Sequence, residues 1–186
     1  VRHTVGVETE TSGFALFDTA IGRCGVAWGP QGITAVQLPE RRESATVARL
    51  RRYASDEAEP PAHIRAAIAR MTALLTGDRD DLTDIEVDPT DIPDFDRRVY
   101  AIARAIPPGD TLTYGEVATR LGLPGSAQAV GQALGRNPYP IVIPCHRVLG
   151  ANGKVGGFSA GDGAVTKLRM LGIEGAAPNG QPSLFD

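Results

Sequence analysis

The sequence predicts two lobes: an α/β lobe over residues 1–90 and a mainly helical lobe over residues 91–176 that carries a helix-turn-helix, with a tail over 177–186. Three observations lead there. Short apolar runs separated by turn residues fill the start of the chain and then give way to helical spacing. An acidic, proline-punctuated stretch between Asp78 and Asp94 divides the chain. Beyond it, two short helical patterns are joined by a glycine-containing turn. At 186 residues the chain can bury about 70% of its unfolded surface without help from a disulfide or a metal.

In order, the clusters Phe14-Ala15-Leu16-Phe17, Cys24-Gly25-Val26-Ala27-Trp28 and Ile33 to Leu38 are broken by Gly22 and by Gly29-Pro30-Gln31-Gly32, which reads as a strand meander. Residues 44–54 place Val47 and Leu50 on one side of a helix. Ile64, Ile68, Met71 and Leu75 then recur at helical intervals before Gly77. In the second lobe Val99, Ile102 and Ile106 give residues 94–106 a buried stripe, ended by Pro107-Pro108-Gly109. Thr113-Tyr114-Gly115-Glu116 has the spacing of a capping box, so a helix starts there and ends near Leu121-Gly122. After Leu123-Pro124-Gly125 a further helix spans residues 126–135, with small residues over much of its surface. Ile141-Val142-Ile143 is expected to be a buried, strand-like run.

Composition narrows the function. Hydrophobic residues at 42% and charged residues at 22% exclude a disordered or fibrous protein. No apolar run is long enough to cross a bilayer, and no cationic leader with an apolar core precedes Val7, so a cytoplasmic location and no membrane partner are expected. The net charge of −3 hides an asymmetry: residues 1–95 hold ten Lys/Arg against sixteen Asp/Glu, whereas residues 96–175 hold nine against five. Only the second half is electrostatically suited to phosphates. Cys24 and Cys145 have no paired spacing, which leaves free-thiol chemistry; Cys24 reads as core, and neither a metal nor a cofactor is expected.

The chemistry concentrates at Pro144-Cys145-His146-Arg147-Val148, where a thiol stands beside an imidazole at the end of a buried segment. Directly or through one water, a histidine so placed can take the sulfur's proton. The run resembles the active-site signature of the O6-alkylguanine-DNA alkyltransferases, also called methylated-DNA–protein-cysteine methyltransferases. The resemblance extends to Thr113-Tyr114-Gly115-Glu116-Val117-Ala118, Ala129-Val130-Gly131, Asn137-Pro138, Gly156-Gly157-Phe158-Ser159 and the stretch from Lys167 to Gly175. It implies a ribonuclease H-like first lobe and a winged-helix-like alkyltransferase domain.

It also implies roles. Cys145 accepts the alkyl group, its proton passes through a water to His146, and Glu174 orients that histidine. Tyr114 meets the flipped purine and helps protonate it as it leaves. Asn137 ties the helix-turn-helix to the site, while Val148, Phe158 and Ser159 lie against the base. Gln128, Ser126, Ala127, Gly131 and Arg136 fall on the DNA-binding face, and the partner is double-stranded DNA bearing O6-alkylguanine, with O4-alkylthymine as a further substrate and a monomer as the acting form. A free cysteine is about 3% thiolate at neutral pH, so full ionisation gains only about thirtyfold. Holding sulfur in line behind the alkyl carbon can contribute effective molarities of about 10⁵ M or more, so geometry should outweigh thiol acidity. A thioether product regenerates no thiol, and one transfer per molecule follows.

The sequence departs from the family at Gln128, where familiar members carry an arginine that fills the space of the extruded base. Phe158 replaces a common tyrosine, and Asp162 brings negative charge towards a phosphate backbone. These changes leave duplex DNA, single strands or a small alkylated compound open as preferred substrate. Gln181-Pro182-Ser183-Leu184-Phe185 resembles the peptide with which bacterial DNA-processing proteins dock on the replication sliding clamp; the alternative is a tail whose Leu184 and Phe185 pack on their own domain. Against alkyl transfer stand an alkyltransferase-like lesion-binding protein, which lacks the cysteine, an alkylation-responsive regulator, and a cysteine hydrolase.

Overall fold

A computed structural model of the protein describes residues 12–155 and 163–176. The chain opens with an antiparallel meander of β1 (Gly13–Thr19), β2 (Gly22–Gly29) and β3 (Gly32–Gln37) in the order β1-β2-β3. Gly32, at φ 119°, approaches the Glu86 carbonyl so closely that a Cβ there would lie 2.8 Å from the oxygen. The alternation of a strand assigns the two faces. Phe14, Ala27 and Ala35 point to one side, where α1 (Glu43–Leu50) covers them with Leu50. Ala15, Phe17, Cys24, Val26, Trp28 and Val36 point to the other. There α2 (Ala62–Leu74) packs with Ile64, Ala67, Met71 and Leu74, a stripe of helical period.

The acidic stretch after α2 is tied down rather than trailing. Arg70 forks onto Asp80 at 2.7 and 2.8 Å and onto Asp84 at 2.8 and 2.9 Å. Val87 bridges to Ile33, and the Asp88 amide donates to the Ile33 carbonyl at 2.8 Å, so the connection runs along the sheet edge. The Val36 amide donates to the Pro138 carbonyl at 2.8 Å, which binds β3 to the segment that carries the signature. The main apolar cluster runs without a break from Phe17 and Met71 to Val99, Val130, Ile143 and Met170. The small sheet lobe and the helical region thus share one core.

In the helical region α3 (Asp94–Arg104), α4 (Tyr114–Arg120) and α5 (Ala127–Gly135) pack together, and the Tyr100 hydroxyl of α3 donates to the Ala133 carbonyl of α5 at 2.8 Å. The capping box closes as expected: the Glu116 amide donates to Thr113 Oγ1 at 3.1 Å and the Thr113 amide to Glu116 Oε1 at 3.2 Å. Gly122 and Gly125 take positive φ in the turn between α4 and α5, where a side chain would be strained. A two-residue parallel pair of β4 (Leu112–Thr113) and β5 (Val148–Leu149) and the final α6 (Gly163–Ile173) complete the strands and α-helices of the described residues.

One expectation is corrected. Residues 141–143 are buried but form a turn, not a strand, with Ile141 at φ 75°. Pro140 and Pro144 supply no amide donors to a ladder, and Asn137 substitutes for one. Its Oδ1 accepts from the Tyr139 amide and its Nδ2 donates to the Ile143 carbonyl, each at 2.9 Å. A β-branched residue at positive φ is strained, so this knot holds the backbone where the chain alone would not stay.

Candidate active site

The turn delivers Cys145. The Ile143 amide donates to the Tyr139 carbonyl and the Cys145 amide to the Ile143 carbonyl, both at 2.8 Å, with Pro144 at φ −80° and ψ 66° bending the chain between them. Cys145 then begins a single 3-10 turn, Cys145–Arg147. It is 7% exposed, at a cleft of about 210 Å³ lined by Tyr114, Gly131, Asn137 and Lys167 and, from the first part of the chain, by Tyr53. Burial pushes the thiol pKa up; the Asn137 amide and the nearby Lys167 ammonium pull against that shift.

His146 is fully buried, and its Nε2 lies 2.8 Å from Glu174 Oε1. The two donors that meet Glu174, His146 and Arg147, hold its carboxyl down at about 2 although burial opposes them. An ionised carboxylate only accepts, so His146 carries its proton on Nε2 and donates it there. Nδ1 is therefore the lone-pair nitrogen, and it is buried with no partner among the described residues. Burial keeps the imidazole pKa below its usual value, outweighing Glu174. This neutral histidine is a proton acceptor rather than a standing cation.

Tyr114, the first residue of α4, is half-buried over the cleft, and burial raises its hydroxyl pKa, so it stays protonated at neutral pH. Gly131 faces its ring; a Cβ there would sit 3.9 Å from the ring carbons. Val148 lies in β5, and its carbonyl accepts from Lys167 Nζ at 2.8 Å. At the start of α5, Ser126 and Ala127 are partly exposed and Gln128 is exposed. Arg136, at the end of that helix, is exposed but forks onto buried Asp96 at 2.9 and 3.1 Å. Phe158, Ser159, Asp162 and Gln181 to Phe185 lie outside the described residues.

Two buried cations at the site have no role in the reading of the sequence. Arg147, 1% exposed, donates from Nε and Nη2 to Glu174 at 2.9 and 2.7 Å and from Nη1 to the Ile106 carbonyl at 2.7 Å. Lys167, 4% exposed, stands 5.9 Å from the Tyr114 ring centroid, and burial lowers its pKa. A signal for Lys167 was present: it shares the buried face of α6 with Met170 and Leu171, three and four residues on, where a charge needs a partner.

Residues 94–176 match the family model described as 6-O-methylguanine DNA methyltransferase, DNA binding domain. The methylated-DNA–protein-cysteine methyltransferase of Methanothermobacter thermautotrophicus is 38% identical over 157 residues, covering 84% of this chain and 82% of that one. Its counterpart in Mycolicibacterium paratuberculosis is 41% identical over 69% of this chain and 75% of its own. Among solved structures, the O6-methylguanine methyltransferase of Mycobacterium tuberculosis superposes with a TM-score of 0.73 at 32% identity, covering 95% of this chain and 100% of that one. The OGT of the same organism in complex with DNA gives 0.70 at 32% identity, over 87% and 91%. With likeness of this extent in sequence and in fold, the chain belongs to the methylated-DNA–protein-cysteine methyltransferase family.

Proposed function

We propose that the protein repairs DNA by moving the alkyl group of O6-alkylguanine, irreversibly and once per molecule, onto Cys145. The observation that carries this reading is the cleft that exposes one thiol beside a histidine whose tautomer is fixed by Glu174. Sulfur attacks the alkyl carbon, the S–C bond forms, and the C–O pair leaves with the purine. The thiol proton passes through a water to His146 Nδ1, the Tyr114 hydroxyl supplies a proton to the departing base, and the imidazolium's proton is given up through solvent to restore the Tyr114 hydroxyl, so the net transfer is from thiol to guanine. A base stacked in a duplex cannot reach a sulfur that is 7% exposed, so the nucleotide rotates out. The start of α5 fits the DNA side of this reading: Ser126, Ala127 and Gly131 permit close approach, and Gln128 is exposed where it can fill the vacated stack. Asn137 holds the turn, and in this reading Val148, Phe158 and Ser159 lie against the base, a role that rests on the resemblance of their sequence positions to the family pattern. Arg136 belongs to the phosphate-facing side in this scheme, with Asp96 fixing its guanidinium.

The same reading takes lobes at 1–90 and 91–176, the first ribonuclease H-like and the second winged-helix-like, in a monomeric cytoplasmic protein without cofactor or metal. The motif Gln181-Pro182-Ser183-Leu184-Phe185 supports docking on a sliding clamp; deleting residues 181–186 should abolish clamp binding, and no binding by the intact chain ends that part. For the main proposal, excess duplex carrying one O6-methylguanine is mixed with the protein. One equivalent of guanine should be restored per molecule and no more. Restoration of many equivalents would refute the single-use mechanism.

A further inference from the structure

Glu174 is shared unequally. One oxygen, Oε1, accepts from both His146 Nε2 at 2.8 Å and Arg147 Nη2 at 2.7 Å, and the other accepts Arg147 Nε at 2.9 Å. The Ile106 carbonyl, 2.7 Å from Nη1, fixes the guanidinium from the far side. All three side chains are at most 7% exposed. Family likeness gives tasks to the histidine and the acid, yet Arg147 spends two of its three nitrogens on that same acid.

We propose that Arg147 is a positioning residue that neutralises Glu174, so that His146 rests without a second proton and Cys145 stays a thiol until a base is docked. This rests on the reading of Cys145 as alkyl acceptor. A buried cluster strongly disfavours net charge. Glu174 and Arg147 together already sum to zero, and the imidazole gains little by taking a proton. Remove the guanidinium and the uncompensated carboxylate, hydrogen-bonded to the ring, draws a proton onto His146; the thiol beside that imidazolium then ionises more readily. Among the described residues, the charged and titratable groups that bear on His146 are Arg147 on its own turn and Lys167 and Glu174 from α6 and its end, while Cys145, the residue before it, is acted on by Lys167 and itself acts on Tyr114 of α4. Burial, Arg147 and Lys167 all act against the imidazolium, and Glu174 alone favours it. For a sulfur that reacts once, a resting thiolate would be open to any small electrophile, and Arg147 protects against that waste.

The test is the pH dependence of Cys145 alkylation by iodoacetamide, which forms the S–C bond and releases iodide, followed by peptide mass with circular dichroism as the check on folding. Arg147→Gln should move the midpoint of the profile down by at least about one pH unit, roughly a tenfold faster reaction near neutral pH. Arg147→Lys, which keeps the charge and loses the fork, should rescue the parent midpoint to within about 0.3 unit. A folded Arg147→Gln protein with an unchanged or higher midpoint overturns the proposal. If that variant does not fold, a downward shift of a full unit in Arg147→Lys overturns it instead. Iodoacetamide needs no DNA, so failure of the parent to take a methyl group from guanine would sink the repair function while leaving this profile to decide the role of Arg147.

Discussion

Cys24 and Cys145 are two buried thiols of one apolar cluster, and they differ in the groups that act on the sulfur and in the space before it. Cys24 lies in β2 inside the apolar cluster, with Thr19 Oγ1 3.6 Å from its sulfur, and burial pushes its pKa up to about 11. Cys145 is also pushed up by burial, but it opens on a cleft with Asn137 and Lys167 acting on its sulfur, and the next residue in the chain, His146, belongs to the cluster with Glu174 and Arg147. Depth alone makes a thiol inert. What separates the reactive one is a proton acceptor beside it and space in front of it.

The largest expected effect sharpens that contrast. Cys145→Ser should abolish alkyl transfer, since the hydroxyl is a far weaker nucleophile, whereas Cys24→Ser should leave one equivalent transferred at the cost of stability from a hydroxyl placed in the core. Scintillation counting of a labelled methyl group would check both. Next, His146→Gln removes the proton acceptor but keeps a neutral side chain near Glu174, and the single-turnover rate should fall about 10²-fold. An unchanged rate would remove the proton acceptor from what separates the two thiols and leave only the cleft in front of Cys145.

A third expectation concerns acid. Glu174 has its pKa near 2 when folded and about 4.5 when free, so the folded state binds the proton less tightly. A depressed carboxyl stabilises the fold above its free pKa, and that stabilisation, on the order of 3 kcal/mol, disappears as pH falls from about 4.5 to about 2. Chemical denaturation at pH 7 and pH 3 should reveal the loss, and Glu174→Gln should lose less stability than the parent between those two pH values, the remainder coming from carboxylates such as Asp80 and Asp84 that Arg70 also holds down. The smallest effect is at the DNA face. Gln128→Arg should speed repair of duplex substrate a fewfold and of single strands less, as read by rapid quench; equal gains would remove base-stack filling from the role of Gln128.

Much of this was legible in the chain because local rules and global fold agree. The meander of residues 14–38, the α2 stripe and the Thr113–Glu116 cap each follow from one period or one spacing. The predicted strand at 141–143 failed because its apolar run carries no period, and the decisive bonds come from Asn137, four residues upstream of Ile141. The Cys145-His146 pair and Glu174 were legible through family likeness, and the structure brings the last two within 2.8 Å across 28 residues. Arg147 stood in the signature without a visible task, because fork geometry onto a carboxylate that distant in sequence is a property of packing alone. Arg136 likewise gave no hint that Asp96 holds it, forty residues away.

The most direct test of the account is a peptide map of the protein after incubation with a duplex containing O6-methylguanine. One methyl group on the peptide carrying Cys145, none on the peptide carrying Cys24, and no further uptake with excess DNA is the expected result. A methyl group on any other residue, or an unmodified Cys145 after complete repair of the DNA, would contradict it.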